Sequence, residues 1–497
     1  MLAPPGADLQ LGVPLIGDRR AFLRRTGVAG LAAATPDLFA AASPSRVAAL
    51  RKAVRGRVVG QGEPIWPDWV ERMVWQQRKP SRRPPLIVQA ANETDVIEAV
   101  RFARRNGLKV AVRTGGHSVW ASFMRDAGLL IDVSLLARAS AVNRDDRSAV
   151  VQPALRGAQL IERAAAQGLA FPVAHHAHVG LGGYLIGGGL GLNHDAWGAM
   201  ACFSIRGADV VTARGELITV NAARNADLYW ALRGAGQGFP GIVTKLQLAL
   251  LPRPRSVLSS SYTLPLANAA EAATWVQEAL GDAPVSLEAQ MVLAAGAGGQ
   301  AGVTVMVNAF AASVDAARAS LAPFAASELG KAALSKVEAA PSSLEALLAD
   351  AHNPMARSGA DSRAVDSAWT SRPADAAAAV AEHMQRAASP LTYAVIAFKS
   401  ARALPADAAC SRIDRAFVGL YSAWLGPEGN AANIAWLREA SLALQPFASG
   451  HYINEIDIEA APQRAADCFS VKAWNRLADV RHRYDPERLF HGFLGVA

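Results

Sequence analysis

From residue 84 onward the apolar and polar residues fall into readable periods. "PPLIVQA" (84–90) is a short apolar run that predicts a strand. "NETDVIEAVRFARRNG" (92–107) changes to helical spacing, with Asn92 placed to cap, Asp95 at the third helical position and Gly107 to stop it. Strands follow at 108–113, 128–134 and 149–154, then a helix at 155–168 closed by Gly168. "GADVVTARGELITV" (207–220) alternates about Arg214-Gly215 and predicts a β-hairpin. A short helix at 225–234 and a long strand at 241–252, ending on Pro252, complete this half. Strands and helices interleave in two small clusters, which makes the fold class α+β.

"RPRSV" (253–257) marks a boundary. Beyond it, strands at 301–310 and 391–398 alternate with alanine-rich helices such as 343–352 and 375–388. Residues 355–375 carry few periodic signals and predict a loop. From residue 450 the chain regains a dense mixture of aromatic, polar and charged residues. The segments expected are therefore a leader (1–42), a lead-in (43–83), a first domain (84–252), a second domain (253–449) and a C-terminal segment (450–497). There is no internal repeat.

Composition narrows the function. With 497 residues, 51% hydrophobic and 19% charged, the chain can bury a large core. No stretch reaches the ~20 strongly apolar residues of a membrane helix, so no membrane span is expected. The formal net charge of +8 is scattered, mostly arginine and without a Lys/Arg block. That pattern reads as a solvated surface and excludes a nucleic-acid partner, while its arginine skew would suit an anionic substrate. Cys202, Cys410 and Cys468 have no CxxC spacing, so they build neither a disulfide framework nor a zinc site. "DRRAFLRRTGVAGLAAATPDLFAAAS" (18–43) joins the pair Arg19-Arg20 to Phe22-Leu23, a weakly apolar run and an alanine cluster. It resembles a bacterial twin-arginine signal. The expectation is handling by the twin-arginine export machinery, cleavage near Ala42, and a periplasmic or extracellular location.

Three glycine clusters lie in the first domain: Gly115-Gly116, "VGLGGYLIGGGLG" (179–191) and "RGAGQGFPGIV" (233–243). Backbone amides freed of side chains approach an anion closely, so three such loops predict a large phosphate-bearing ligand. A Rossmann loop is the alternative, since Gly187–Gly191 gives a loose GxGxG and Asp209 lies about 20 residues beyond Gly189. The polar "HHAHVGLGG" before it is not a buried strand, and Asp209 falls in a predicted hairpin, so this alternative is set aside.

"VRTGGHS", "VGLGGYLIGGGLG", "LRGAGQGFPGIVT" and the tail "YIN…RYDPERLF" occur in an order that resembles the FAD-linked oxidases of the vanillyl-alcohol-oxidase superfamily, in particular the bacterial members of its berberine-bridge-enzyme-like branch. The resemblance implies a two-subdomain PCMH-type FAD-binding domain over 84–252. It also implies an α+β substrate domain with an antiparallel sheet flanked by helices, and a tail that returns to the FAD domain. In the family the R-[ST]-G-G-H turn wraps the FAD pyrophosphate and its histidine is bonded to the flavin. Carried over, Arg113, Thr114, Gly115, Gly116, His117 and Ser118 hold FAD, with His117 as the covalent link. The second loop contributes His176, Val179, Gly180, Gly182, Gly183, Gly187 and Gly188, and the third contributes Gly241, Ile242 and Val243. Many members carry a second, cysteinyl link three residues before the valine of V-G-x-G-G. That position is His176 here, so a single histidyl bond is expected. The third loop has Gly238-Phe239-Pro240 where many members have Asn before Phe. His175, His176 and His178 have no i,i+4 pairing and no acidic neighbour, so no metal is expected.

FAD chemistry needs a C–H bond placed over the flavin and a group to take the adjacent proton. "GHYINEIDIEA" (450–460) reads as a strand, with Tyr452 and Asn454 on one face and Glu455, Asp457 and Glu459 on the other. The family's Y-x-N pair borders the flavin, so Asn454 is expected on the isoalloxazine edge and Tyr452 in substrate contact or proton acceptance. The carboxylates are expected to be structural or solvated, with Glu455 the exception that could be catalytic. Asp485-Pro486 is expected to start a turn. Val179, small at a position that leaves room for oxygen in the family, favours an oxidase. The expected activity is oxidation of an alcohol, a sugar or small secondary metabolite, with electrons passed to O2. The alternatives are a dehydrogenase using another acceptor and a flavin-binding protein without turnover.

Overall fold

The computed structural model describes residues 43–281, 283–296, 301–349, 359–399 and 404–495. The export signal expected at 1–42 lies outside the described residues.

The first sheet is short and apolar. Its strands are β1 (Arg57–Gly60), β2 (Leu86–Gln89), β3 (Val110–Arg113) and β4 (Leu129–Asp132). They are ordered β1-β2-β4-β3, with β2 and β3 both parallel to β4. Every residue of β4 is buried, as a parallel strand covered on both faces must be. The helix Glu93–Arg105 covers one face with Val96, Ala99, Val100 and Ala103. Its Asn92 cap accepts the Asp95 N–H at 3.0 Å, as its sequence predicts. The tail closes the edge, because Val110 N–H donates to Leu489 and His491 N–H donates back to Val110. Asp485 holds that turn by accepting the Leu489 and Phe490 amides at 2.6 and 2.8 Å.

The second sheet uses β5 (Ser148–Val151), β7 (Ile205–Val211), β8 (Leu217–Asn221) and β9 (Ile242–Ala249) in the antiparallel order β5-β9-β7-β8. Two short strands, β6 (Leu169–Ala170) and β10 (Leu251–Pro252), pair beside it. Asp209 lies mid-hairpin against Lys245 at 3.0 Å, not at the end of a parallel strand.

The third sheet has seven antiparallel strands: β11 (Ser256–Pro265), β12 (Leu287–Ala294), β13 (Gly302–Ala311), β14 (Ser335–Ser342), β15 (Ser362–Thr370), β16 (Tyr393–Phe398) and β17 (Ala416–Trp424). Their order is β14-β11-β13-β12-β16-β17-β15. Strand alternation decides its two faces. On β13, Val303, Val305 and Val307 join the core with the helices Ala269–Gly281 and Val314–Ala326. The intervening Thr304, Met306 and Asn308 face a cavity. This uncovered face, which mixes polar and apolar side chains, forms one side of the site.

Two expectations are corrected. Residues 355–375 were expected as a loop, but within their described part β15 runs over Ser362–Thr370 with all nine residues buried. It lacks alternation because both faces are covered, and its polar residues are paired rather than solvated. Asp366 takes both Arg464 guanidinium nitrogens at 2.8 and 3.2 Å, and Ser441 as well. Residues 450–460, expected as a strand, form turns instead. Their amides bond to β15 side chains, Tyr452 N–H to Ser367 and Asp457 N–H to Asp366, in place of a ladder.

In the Asp366–Arg464 pair the carboxylate is 2% exposed and the guanidinium side chain 16%. Replacing Asp366 with alanine leaves the guanidinium uncompensated, and we expect a loss of about 3–5 kcal/mol in chemical denaturation. A loss under about 1 kcal/mol would show that the pair behaves like a surface contact.

Candidate active site

A cavity of about 880 Å³ lies between the glycine loops and the uncovered face of the seven-stranded sheet. That is at the upper end of the ~300–1,000 Å³ of ligand pockets. The loop after β3 forms one wall with Thr114, Gly115, Gly116, His117 and Ser118. Gly116 has φ of +71°, and a Cβ there would meet the Met73 carbonyl at 2.5 Å, so only glycine fits. Further wall residues are His176, Val179, Gly180 and Gly183 from the second loop and Gly241, Ile242 and Val243 from the third. Space beside Gly183 is open, with nothing within 4 Å of a Cβ built there.

Arg113, Gly182, Gly187 and Gly188, expected to help hold the cofactor, are not among the residues that line the cavity. Arg113 is engaged with the Met73 carbonyl at 2.8 Å and Asp132 at 2.9 Å, which fixes the turn. Gly182 packs on Pro153 and Thr114, Gly188 on Met200, and a Cβ at Gly187 would overlap the Asn454 amide.

His117 sits where the two halves meet. Its ring stacks on Trp75 at 5.1 Å and 16°, and the His176 ring lies 5.3 Å away. Burial, reinforced by His176, His178, Arg156 and Arg113, lowers its pKa to about 3. The imidazole is therefore neutral at physiological pH and keeps one nitrogen lone pair.

Tyr452, Asn454 and Glu455 all line the cavity. The strand reading put Glu455 on the opposite face; the turn Glu455 N–H to Tyr452 O brings it to the same side. Tyr452 is already occupied: its oxygen accepts from Gly189 N–H at 3.0 Å, Leu190 N–H at 3.2 Å and the Asn454 amide at 3.0 Å. Asn454 also donates to the Tyr184 carbonyl. Glu455 instead accepts a 2.5 Å hydrogen bond from Tyr421 on β17, whose ring stacks on Tyr393 at 4.9 Å. Burial raises the Glu455 pKa, and Tyr421 and His175 oppose that rise. Asp457 and Glu459 are paired with Arg438 and Arg82.

Next to this end, Glu288 on β12 is buried and accepts His175 at 3.1 Å and Asn193 N–H at 2.5 Å. Its pKa is lowered to about 2: burial would raise it, but His175, His194 and the Asn193 amide outweigh that. Sequence reasoning missed Trp75, Glu288, Tyr393 and Tyr421. The two tyrosines carried one weak signal, the same parity in two adjacent strand patterns. The arginine excess does not reach the sheet wall, which among the described residues presents Ser259, Ser261, Thr263, Gln290, Thr304 and Asn308 but no Lys or Arg. Among the described residues no group of three His, Cys, Asp or Glu could hold a metal, and no helix is long and apolar enough to cross a membrane.

Residues 84–221 match the FAD binding domain family. The chain is 38% identical over 209 residues to the FAD-linked oxidoreductase nodO of Hypoxylon pulicicidum, covering 42% of this chain and 46% of that one. It is 34% identical over 207 residues to the (R)-6-hydroxynicotine oxidase of Paenarthrobacter nicotinovorans, covering 41% and 44%. The chain thus spans about half the length of the curated relatives it matches. Among solved structures, 6-hydroxy-D-nicotine oxidase from Arthrobacter nicotinovorans superposes with a TM-score of 0.77 at 23% identity, over 89% of this chain and 98% of that one. Phl p 4, a grass pollen allergen with glucose dehydrogenase activity, gives 0.75 at 18% identity over 90% and 98%. The BBE-like 1 protein of Physcomitrella patens gives 0.74 at 18% over 90% and 98%. The fold is shared with these proteins, and it is α+β as expected.

The Glu288 carboxylate yields a pH prediction. Its folded pKa of about 2 lies below its ordinary 4.5, so the stability it supplies is complete above pH 4.5 and lost as pH falls through 2. The pH-dependent part should be about 3 kcal/mol at pH 6 and about 1 kcal/mol at pH 3. Unfolding of the Glu288→Gln variant and the parent protein across that range measures it. A gap that does not narrow toward pH 3 would mean that Glu288 is not ionised in the folded chain.

Proposed function

We propose that the chain is an FAD-dependent oxidoreductase that oxidises an alcohol, a sugar or small secondary metabolite, and passes the electrons to O2. The observation that carries this reading is one cavity with glycine loops and a neutral His117 on one side and the Glu455–Tyr421 pair on the other. The residues present fit FAD: Gly183 leaves open space beside the backbone, and buried Arg125, Gln237 and His491 atoms of cavity-lining residues have no hydrogen-bond partner within the protein. When bound, FAD supplies the acceptor for a hydride from the substrate carbon.

Thr114 to Ser118, with the second and third glycine loops, hold the cofactor through backbone amides. His117, neutral and stacked on Trp75, is the residue that attaches it; no cysteine lines the cavity, so the link is single. Glu455 takes the substrate hydroxyl proton. Its burial keeps the carboxylate basic, and Tyr421 orients it by donating one hydrogen bond. Tyr452, whose oxygen already accepts three N–H groups, positions the loop and is the weaker base. The hydroxyl and amide groups of the sheet wall favour a substrate with several hydrogen-bonding groups. Val179 on the wall supports O2 as acceptor. An isoleucine-to-valine variant of Phl p 4 is described as a glucose oxidase, and the wild type as a glucose dehydrogenase. With the arginine pair at 19–20, the reading includes folded export by the twin-arginine route.

Acid precipitation tests the attachment: flavin colour stays in the pellet of the parent protein and is lost from His117→Ala. Colour in both pellets would move the link elsewhere. Among alcohols, sugars and cyclic amines, a sugar or polyol should bleach the flavin and release H2O2 in air. No bleaching by any class would leave only the flavin-binding alternative. Glu455→Gln should slow flavin reduction by roughly 10²–10⁴-fold. Activity should rise with pH through the Glu455 titration, above the usual carboxylate range, and Tyr421→Phe should move that limb higher because it removes a bond to the charged form. A limb unchanged in Tyr421→Phe would assign it to another group.

A further inference from the structure

One end of the cavity has a charge that the glycine loops do not explain. Arg125 lines it, beyond the motif that ends at Ser118. Its Nη2 donates to the Gly492 carbonyl at 2.8 Å, while its Nε is buried without a partner. No carboxylate among the described residues lies within ion-pair distance of it. The neighbouring Asp126 turns away to the Arg83 amide, and nearby Arg82 is already paired with Glu459. His491 stands next to Gly492 with a buried, unpartnered Nε2, and Gln237 adds a buried, unpartnered Oε1. Arg481 ties these segments together, donating to the carbonyls of Gly238 and Phe490.

The electrostatics agree with the geometry. Arg125, Lys109 and Arg481 all bear on His491 and hold its imidazole neutral, with burial the larger cause. The acid near this cluster, Asp485, is engaged by two backbone amides. A buried guanidinium without a counter-charge is costly in an empty protein, so an anion belongs there. The substrate is not that anion, because the sheet wall with Tyr421 and Glu455 forms the other side of the cavity. In oxidised FAD the negative charge resides on the diphosphate.

We propose that Arg125, flanked by His491, is a side-chain anion site for the cofactor diphosphate. This rests on the FAD reading above and adds a charge contact to the backbone amides of the loops. Arg125 is then what makes the cavity prefer FAD to uncharged riboflavin.

The test measures binding, not turnover. In the His117→Ala background, where the cofactor exchanges, affinities for FAD, FMN and riboflavin are compared with and without Arg125→Met. We expect FAD to weaken 10- to 100-fold, riboflavin to change less than twofold, and Arg125→Lys to restore most of the loss. Inorganic diphosphate should raise the melting temperature of the flavin-free protein when Arg125 is present and not in Arg125→Met. Equal loss of FAD and riboflavin, or undiminished FAD binding in Arg125→Met, overturns the proposal while leaving the FAD reading intact. Failure of both proteins to bind any flavin overturns the FAD reading itself. Circular dichroism of Arg125→Met separates misfolding from lost contact, and Arg125→Lys decides the matter if Arg125→Met is unfolded.

Discussion

The Glu288 carboxylate is the contact on which the cavity depends. It projects from the centre of the seven-stranded sheet and is held by His175 and the Asn193 amide, both from the segment between β6 and β7. A charge buried this deeply is stable only while its partners stay in place. The sheet and the glycine loops are therefore locked at one separation, with an open volume between them. The uncovered sheet face mixes apolar residues such as Met306 and Val395 with polar ones that pair among themselves: Ser259 donates to Asn308, and Thr263 meets Thr304.

Local periodicity made much of the fold readable. Asn92 caps the helix it was expected to cap, the 207–220 hairpin turns at Gly215, and the valines of β13 alternate with cavity residues. Elements with one dry face announce themselves in this way. β15 does not, because helix Asn430–Leu444 and the 450–467 segment cover both its faces, and Asp366 and Arg363 hide a buried strand behind polar letters. The turns at 450–460 failed for the reverse reason: their alternating letters imitate a strand, while the amides are satisfied by β15 side chains.

The glycine loops could be read because backbone approach requires glycine at fixed places, as Gly116 shows. Tyr421, Trp75 and Arg125 could not. Each reaches the cavity through long-range docking: Arg125 meets Gly492, and Tyr421 meets Glu455, across sequence gaps no local pattern spans. Spacing rules describe a single element, and a site assembled from several is legible only where a backbone constraint leaves its own mark.

The choice between Tyr452 and Glu455 follows from hydrogen-bond capacity. A phenol oxygen that already accepts two backbone amides and a side-chain amide has little lone-pair density left for a substrate proton. Burial adds to this by raising the Tyr452 pKa, so the phenolate is disfavoured. Glu455 has the opposite balance. It accepts a side-chain hydrogen bond from Tyr421, and burial keeps its carboxylate basic. Glu455 lines the cavity beside Tyr421 of the sheet, and Arg125, whose Nη2 donates to the Gly492 carbonyl, lines it beside the C-terminal segment. The cavity is therefore polarised along its length, and a ligand with a charged tail and a neutral reacting end has one orientation in which both ends are satisfied.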